Sequence, residues 1–227
     1  MRFGSFVLAV AVATAAPAFA QETQPPAAAA AQPEQDPIKR FEAYATSEGY
    51  RRTMGQLAAV GDSISAPECK DRKAVARAAL TVFLPPVFAE GLHPVSGLWQ
   101  DRIRMDRCGK TTYQNLLIQA QPGGAPPRVA LKMPGLTNAN PLMQDLVMKD
   151  VLQGLADRKC TDSTQIIPLD SVLGKETKPR KVDDKGTLTE GAWKETWTFR
   201  ACGKDVGIGV DFTADGKGGL NHKVNLQ

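Results

Sequence analysis

Histidine is almost missing from this 227-residue chain, which holds two, and aromatic side chains make up only 6% of it. Four cysteines occur, none in a C-x-x-C pair and none beside a histidine, so a protein-ligated zinc site is not expected. No G-x-S-x-G nucleophile motif is present. Gly216-Lys217-Gly218-Gly219 lacks the spacing and the following Ser/Thr of a phosphate-binding loop. Asp211, Asp215 and the same glycines do not match the ligand spacing of a calcium loop. Charge of one sign is not in excess either. Twenty-eight Lys and Arg against 24 Asp and Glu leave +4, too weak and dispersed to argue for nucleic acid. After the first 20 residues no apolar run is long enough to span a bilayer. What remains is an ordinary globular composition, 42% apolar and 23% charged, with 20 Gly and 16 Pro that imply many turns. The length allows one or two domains.

The N-terminus has the order of a secretory leader. Arg2 supplies a positive start, Phe6 to Ala16 an apolar stretch, and Ala18-Phe19-Ala20 a small-residue cleavage site before Gln21. Residues 1–20 are therefore expected to be a signal peptide, and no transmembrane segment is expected after its removal. Residues 21–35 (Q-E-T-Q-P-P-A-A-A-A-A-Q-P-E-Q) carry no aromatic or branched apolar side chain. They cannot bury enough surface to offset the entropy of ordering, and are expected to be a disordered Pro/Ala/Gln spacer. The compartment implied is periplasmic or extracellular.

Beyond residue 35 the chain repeats itself. Gly97-Leu98-Trp99 is followed by Cys108-Gly109-Lys110, and Gly191-Ala192-Trp193 by Cys202-Gly203-Lys204, at an offset of 94. Gly123-Gly124 and Gly218-Gly219, then Val129-x-Leu131 and Val224-x-Leu226, continue the match at 95. Two homologous units are expected, residues 36–135 and 136–227. In an oxidising compartment four cysteines read as bridges, and they permit three pairings. The repeat favours Cys69–Cys108 and Cys160–Cys202, one in each unit.

The repeated core reads as a β-hairpin. Trp197, Phe199 and Ala201 alternate before Cys202-Gly203, and Val206, Ile208, Val210 and Phe212 alternate after it. Ile103, Met105, Leu116 and Ile118 take the corresponding places in the first unit, while Thr196, Thr198, Arg200, Asp205 and Asp211 face the other way. Trp99, Trp193, Trp197 and Phe199 are expected as packing positions of the repeat rather than a sugar-stacking platform. Last strands are expected at Arg128 to Met133 and His222 to Leu226. A helix opens each unit: Asp36-Pro37 and Asn140-Pro141 are cap-plus-proline starts. Leu142, Met143, Leu146, Val147, Leu152 and Leu155 form a stripe in the second helix, and Gly49 is a possible break in the first. Lys73 to Phe83 reads as a further helix, its counterpart as a short strand at Gln165 to Leu169, and Lys175 to Glu190 as an exposed loop. The fold class expected is α+β: a tandem duplication of a helix plus an antiparallel sheet, each unit stapled by one disulfide from the helix end to the hairpin tip.

The Trp193…Trp197…Cys202-Gly203 strand, with the alternating Val206, Ile208, Val210 and Phe212, resembles a pattern of uncharacterised exported bacterial proteins. The resemblance implies export and a β-rich domain, and carries no catalytic residue. A helix followed by an antiparallel sheet also resembles the cystatin-like arrangement, at the level of fold alone.

Candidate chemistry is sparse. His93, before Pro94, and His222, beside Asn221, occupy different places in the repeat and have no nucleophile near them. Asp183-Asp184 and Glu190 with Glu195 are the available carboxylate pairs. Lys178-Pro179-Arg180-Lys181 is balanced by Glu176, Asp183, Asp184 and Glu190. No catalytic residue, metal or cofactor is assigned. The reading is an exported, non-enzymatic binding or structural protein of the bacterial envelope, meeting an envelope protein or a ligand between the two repeats. The alternatives are a carboxylate-dependent cell-wall or polysaccharide hydrolase and a protease-inhibitor-like module.

Overall fold

The computed structural model of the protein describes residues 36–184 and 187–226. The expected signal peptide and spacer lie outside these residues. The described chain is α+β. Two helices, α1 (Pro37–Thr46) and α2 (Glu48–Ser65), precede four strands: β1 (Arg72–Val87), β2 (Ser96–Arg107), β3 (Lys110–Gln119) and β4 (Arg128–Leu131). Helix α3 (Pro141–Asp157) precedes four more: β5 (Ile166–Val182), β6 (Leu188–Ala201), β7 (Lys204–Ala214) and β8 (Leu220–Leu226). The strands form two antiparallel sheets, ordered β1-β2-β3-β4 and β5-β6-β7-β8. Each sheet has its own core, because each has one apolar face and a helix of its own to cover it. In the first, Tyr50, Met54 and Ala58 of α2 meet Trp99, Ile103, Met105, Leu116 and Ile118. In the second, Met143, Val147, Val151 and Leu155 of α3 meet Trp193, Trp197, Phe199, Ile208, Val210 and Phe212.

Local signals account for the element ends. Asp36 and Asn140 accept from the backbone N–H of Ile38 and Met143, capping α1 and α3 at their prolines. The break between α1 and α2 falls at Ser47, whose hydroxyl accepts from Tyr50 N and caps α2; Gly49 lies inside the second helix. Along α3 the buried stripe is 143/147/151/155, while Leu142 and Leu146 point outward. Gly154 matters here: a Cβ at that position would overlap Leu226, so its absence lets β8 pack directly on α3.

Both central hairpins turn on a Cys-Gly pair. Cys108 and Cys202 have φ of 47° and 48°, and the following Gly109 and Gly203 have 76° and 79°. Two successive positive φ values make a type I′ turn, the one whose twist suits a two-residue hairpin. Each cysteine is held in this left-handed conformation by its bridge to the end of the helix, Cys69–Cys108 and Cys160–Cys202. The pairing matches the sequence expectation.

Three expectations need correction. Lys73 to Phe83 is strand, not helix: the whole of Arg72–Val87 pairs with β2 from Arg72↔Arg107 to Val87↔Ser96. The segment is an edge strand exposed along most of its length, so it lacks the alternation that marks a half-buried strand, and its alanines imitate helix composition. The strand expected at Gln165 to Leu169 begins at Ile166, after a 3-10 turn (Ser163–Gln165), and is only the start of the 17-residue β5. Lys175 to Glu190 is therefore mostly paired strand, Glu176↔Trp193 and Lys181↔Glu190 among its partners. It is exposed, as expected, because this end of β5 extends beyond the cover of α3. Charged side chains along it (Lys175, Glu176, Lys178, Arg180, Lys181) are the usual protection of a free sheet edge.

The join between the halves is held from both sides. Lys132 N and Gly135 N donate to Asn115 O and Tyr113 O in β3, and Leu136 N donates to Ser171 O in β5. Asn115 Nδ2 donates to Met133 O and Gly135 O, Ser171 Oγ to Pro134 O, and Arg102 Nη2 to Thr137 O at 2.8 Å. Gly135 has φ 89°, and a Cβ there would overlap Asp170 Oδ1 and the Ser171 backbone.

Candidate functional site

The carboxylates come first, since hydrolysis would need them free. Glu190 and Glu195 do not act together. Glu195 faces the core, 1% exposed, whereas Glu190 lies at the open end of the hairpin and pairs with Lys178 and Lys181. Those two ammonium groups hold the Glu190 carboxyl below the usual carboxylate range. Glu195 Oε1 accepts from Trp193 Nε1 at 2.8 Å and from Asn138 N at 2.9 Å, and Oε2 accepts from Trp197 Nε1 at 2.8 Å. The buried acid is thus the acceptor that lets two indoles sit in the core.

Asp101 occupies the corresponding place in the first half, two residues after Trp99 as Glu195 is two after Trp193. It is also fully buried. Here the indole is served through an intermediary: Trp99 Nε1 donates to Tyr50 Oη at 2.7 Å, and Tyr50 Oη donates to Asp101 Oδ2 at 2.8 Å. Arg77 Nε stands 2.8 Å from Asp101 Oδ1. Burial raises the Asp101 carboxyl, with Arg77 and Tyr50 opposing it, and burial next to Asp101 also raises the Tyr50 hydroxyl. A third buried acid, Asp62 of α2, accepts from Arg107 Nε at 2.9 Å and Nη2 at 2.7 Å beside the Cys69–Cys108 bridge. The sequence reading missed Asp101 and Asp62 altogether. The signal for Asp101 was the shared Trp-x-acid spacing at offset 94.

The tryptophans are not a sugar platform: Trp99, Trp193 and Trp197 are at most 3% exposed. His222 Nε2 lies 2.8 Å from Asp150 of α3, joining β8 to that helix. Asp183 and Asp184 lie at the turn that follows β5. Among the described residues no cluster of three His, Cys, Asp or Glu side chains could hold a metal ion.

His93 is placed differently. Its Nδ1 is 3.1 Å from Tyr44 Oη, and the two rings meet edge-on at 5.8 Å. Both line a cleft of about 440 Å³ beside α2. Thr53 and Leu57 of α2 form one wall, Tyr44 of α1 and Leu92 another, and Pro126, Pro127 and Val129 close it. No Lys, Arg, Asp or Glu lines it. Burial pushes the Tyr44 hydroxyl up to about 12, so it keeps its proton. The β1–β2 connection is fixed by α1: Arg40 Nη2 donates to Ala89 O at 2.7 Å and Gly91 O at 3.1 Å, and the guanidinium covers the Phe88 ring.

The cleft between the halves, where a ligand was expected, is smaller at about 340 Å³. Its polar groups are taken up internally. Lys132 Nζ pairs with Asp145 at 2.6 Å, Gln144 Oε1 accepts from Met133 N at 3.1 Å, and Ser65 Oγ donates to Pro168 O at 3.0 Å.

Three of the differences between the two halves bear on this cleft. The first has α1, a β1–β2 connection spanning 88–95 and a β3–β4 connection spanning 120–127; the second has no helix before α3 other than those of the first half, and shorter connections at 183–187 and 215–219. All three segments deliver side chains to the 440 Å³ cleft: Tyr44, then Leu92 and His93, then Pro126 and Pro127. The chain matches no protein-family model, no curated protein and no solved structure.

Proposed function

We propose that the chain is an exported, non-enzymatic binding protein of the bacterial envelope, built by duplication of a helix-plus-meander unit, with its ligand seat in the first half. Duplication is supported by geometry beyond the Trp…Cys-Gly motif. The β1–β2 ladder shifts register between Ala74 and Ala76 and between Val82 and Leu84; β5–β6 shifts between Pro168 and Asp170 and between Glu176 and Lys178, each 94 residues on. Bulges are local backbone features that persist within a family. Two bridges and the absence of any long apolar helix among the described residues are compatible with export.

The observation that carries the binding reading is that three segments the second half lacks or shortens meet at one cleft. Added segments on a shared scaffold are where function concentrates. An apolar cleft of about 440 Å³ with few polar groups has the size and character of a ligand pocket. Glu195 supports the non-enzymatic part, since both of its oxygens are taken by core donors. Native mass spectrometry on the protein recovered from the periplasm of an expressing bacterium tests the whole. The expected species begins at Gln21, has four oxidised cysteines, and carries a small molecule that Thr53→Trp, which plugs the cleft, removes. A chain retained with residues 1–20, or a ligand that survives the plug, overturns the reading. So does a substrate turned over and spared only when one carboxylate is replaced.

A further inference from the structure

We infer that the first-half cleft takes an uncharged, mainly apolar small molecule that presents one carbonyl oxygen to His93 Nε2; this rests on the binding reading above and names its ligand class. The wall chemistry excludes an ion. With no charged side chain on the lining, a carboxylate, phosphate or ammonium would lose its water and gain no counter-charge. Pro126 and Pro127 add apolar surface and have no backbone N–H to offer.

Two side chains of the lining keep a hydrogen-bonding position open, the Ser47 hydroxyl, which accepts from Tyr50 N, and the His93 ring. The Tyr44 hydroxyl has His93 Nδ1 as its sole partner among the described residues, and it stays protonated. We assign the Tyr44 hydroxyl as the donor to Nδ1; that tautomer carries the imidazole proton on Nε2. Nε2 has no acceptor among the described residues, and the half-buried ring lines the cleft. A carbonyl on the ligand supplies the missing acceptor. The donor is held in place, because Arg40 pins the connection through Ala89 O and Gly91 O and the Tyr44 ring packs edge-on against the imidazole. A preformed donor in an apolar cleft sets orientation, and the walls supply affinity.

Three probes that share one ring system separate the possibilities: 2-acetylnaphthalene, 2-ethylnaphthalene and 2-naphthoate, each titrated into the oxidised full chain at pH 7.5. Binding is followed by calorimetry and by the His93 ring signals in NMR. The ketone is expected to bind, to move the His93 Nε2–H signal, and to bind about tenfold more tightly than the ethyl compound, one hydrogen bond's worth. The naphthoate is expected to bind more weakly than either. His93→Phe brings the ketone-to-ethyl affinity ratio to about one, and Thr53→Trp blocks both. Naphthoate binding as tightly as the ketone overturns the uncharged class while leaving the binding cleft standing. Equal binding of ketone and ethyl compound overturns the carbonyl contact. Failure of every probe to perturb His93 overturns this inference and the cleft reading together.

Discussion

Replacing Glu195 by glutamine changes one oxygen to an amide nitrogen in the middle of the second core, and the structure sets the size of the effect. Glu195 accepts three hydrogen bonds, from Trp193 Nε1 and Asn138 N on one oxygen and Trp197 Nε1 on the other. Glutamine keeps one oxygen. With the oxygen toward Trp193 and Asn138, its NH2 confronts the Trp197 indole N–H, donor against donor, where no water reaches. A lost hydrogen bond to a charged acceptor costs roughly 1.5–3 kcal/mol, and an orphaned buried donor about 1–3 kcal/mol. The surviving bonds also lose their charge assistance. Arg102, whose guanidinium burial lowers and Glu195 supports, loses its nearby anion as well. The expected loss is about 3–4 kcal/mol in urea denaturation of the oxidised protein at pH 7, with the slope unchanged. In a Trp197→Phe background the orphaned donor is gone. Glu195→Gln should then cost about 1.5 kcal/mol less, a coupling that a double-mutant cycle reads directly. A Glu195→Gln loss under about 1 kcal/mol, or a coupling near zero, would refute the claim that this carboxylate is the indoles' acceptor.

Removing either bridge by paired Cys→Ala substitution should lower stability by roughly 4 kcal/mol on the chain-entropy model, since the bridges close 39 and 42 residues, and non-reducing denaturation of the pair variants measures it. Gly135→Ala should lower thermal stability by more than about 3 kcal/mol, because φ is positive and the new Cβ meets Asp170 and the Ser171 backbone; a melting temperature within a few degrees of the parent contradicts the close approach. Burial raises Asp101 when the protein folds, so the native state binds more protons than the unfolded state above the ordinary Asp pKa. Its contribution therefore falls as pH rises through that window and is most favourable below the unfolded value. The stability difference between the parent and Asp101→Asn should shift against the parent as pH is raised, and the opposite slope counts against a raised carboxyl.

How far the sequence carries depends on what kind of signal each element leaves. β6 and β7 were legible because one face is buried and the other wet, so Trp197, Phe199, Ile208, Val210 and Phe212 alternate with polar side chains. The bridges were legible because the Trp…Cys-Gly-Lys match at an offset of 94 singles out one of the three pairings. β1 was not: an edge strand that neither sheet face buries fully has no period to detect, and Ala74, Ala76, Ala78 and Ala79 read as helix formers. Glu195 was visible but misplaced. A carboxylate at an inward position breaks the apolar alternation, and only the two flanking indole N–H groups explain why it belongs there. The cleft was invisible for a different reason. Tyr44, His93 and Pro127 come from three separated segments, and nothing in their local pattern says that α1 folds them together.

The stretch from Lys132 to Ala139 has a consequence for how the protein meets a protease. A join between two halves is ordinarily the soft point at which a protease enters, because cleavage needs several residues of free, extendable chain. Here the amides of Lys132, Gly135, Leu136 and Asn138 and the carbonyls of Met133, Pro134, Gly135 and Thr137 are bound by one half or the other. Asn138 N is the third donor to Glu195, so the join is part of the second core rather than a tether to it. Neither half is a detachable cartridge. Cutting the chain within 132–139 requires these contacts to open first, so the join is closed to a protease while both halves stay folded.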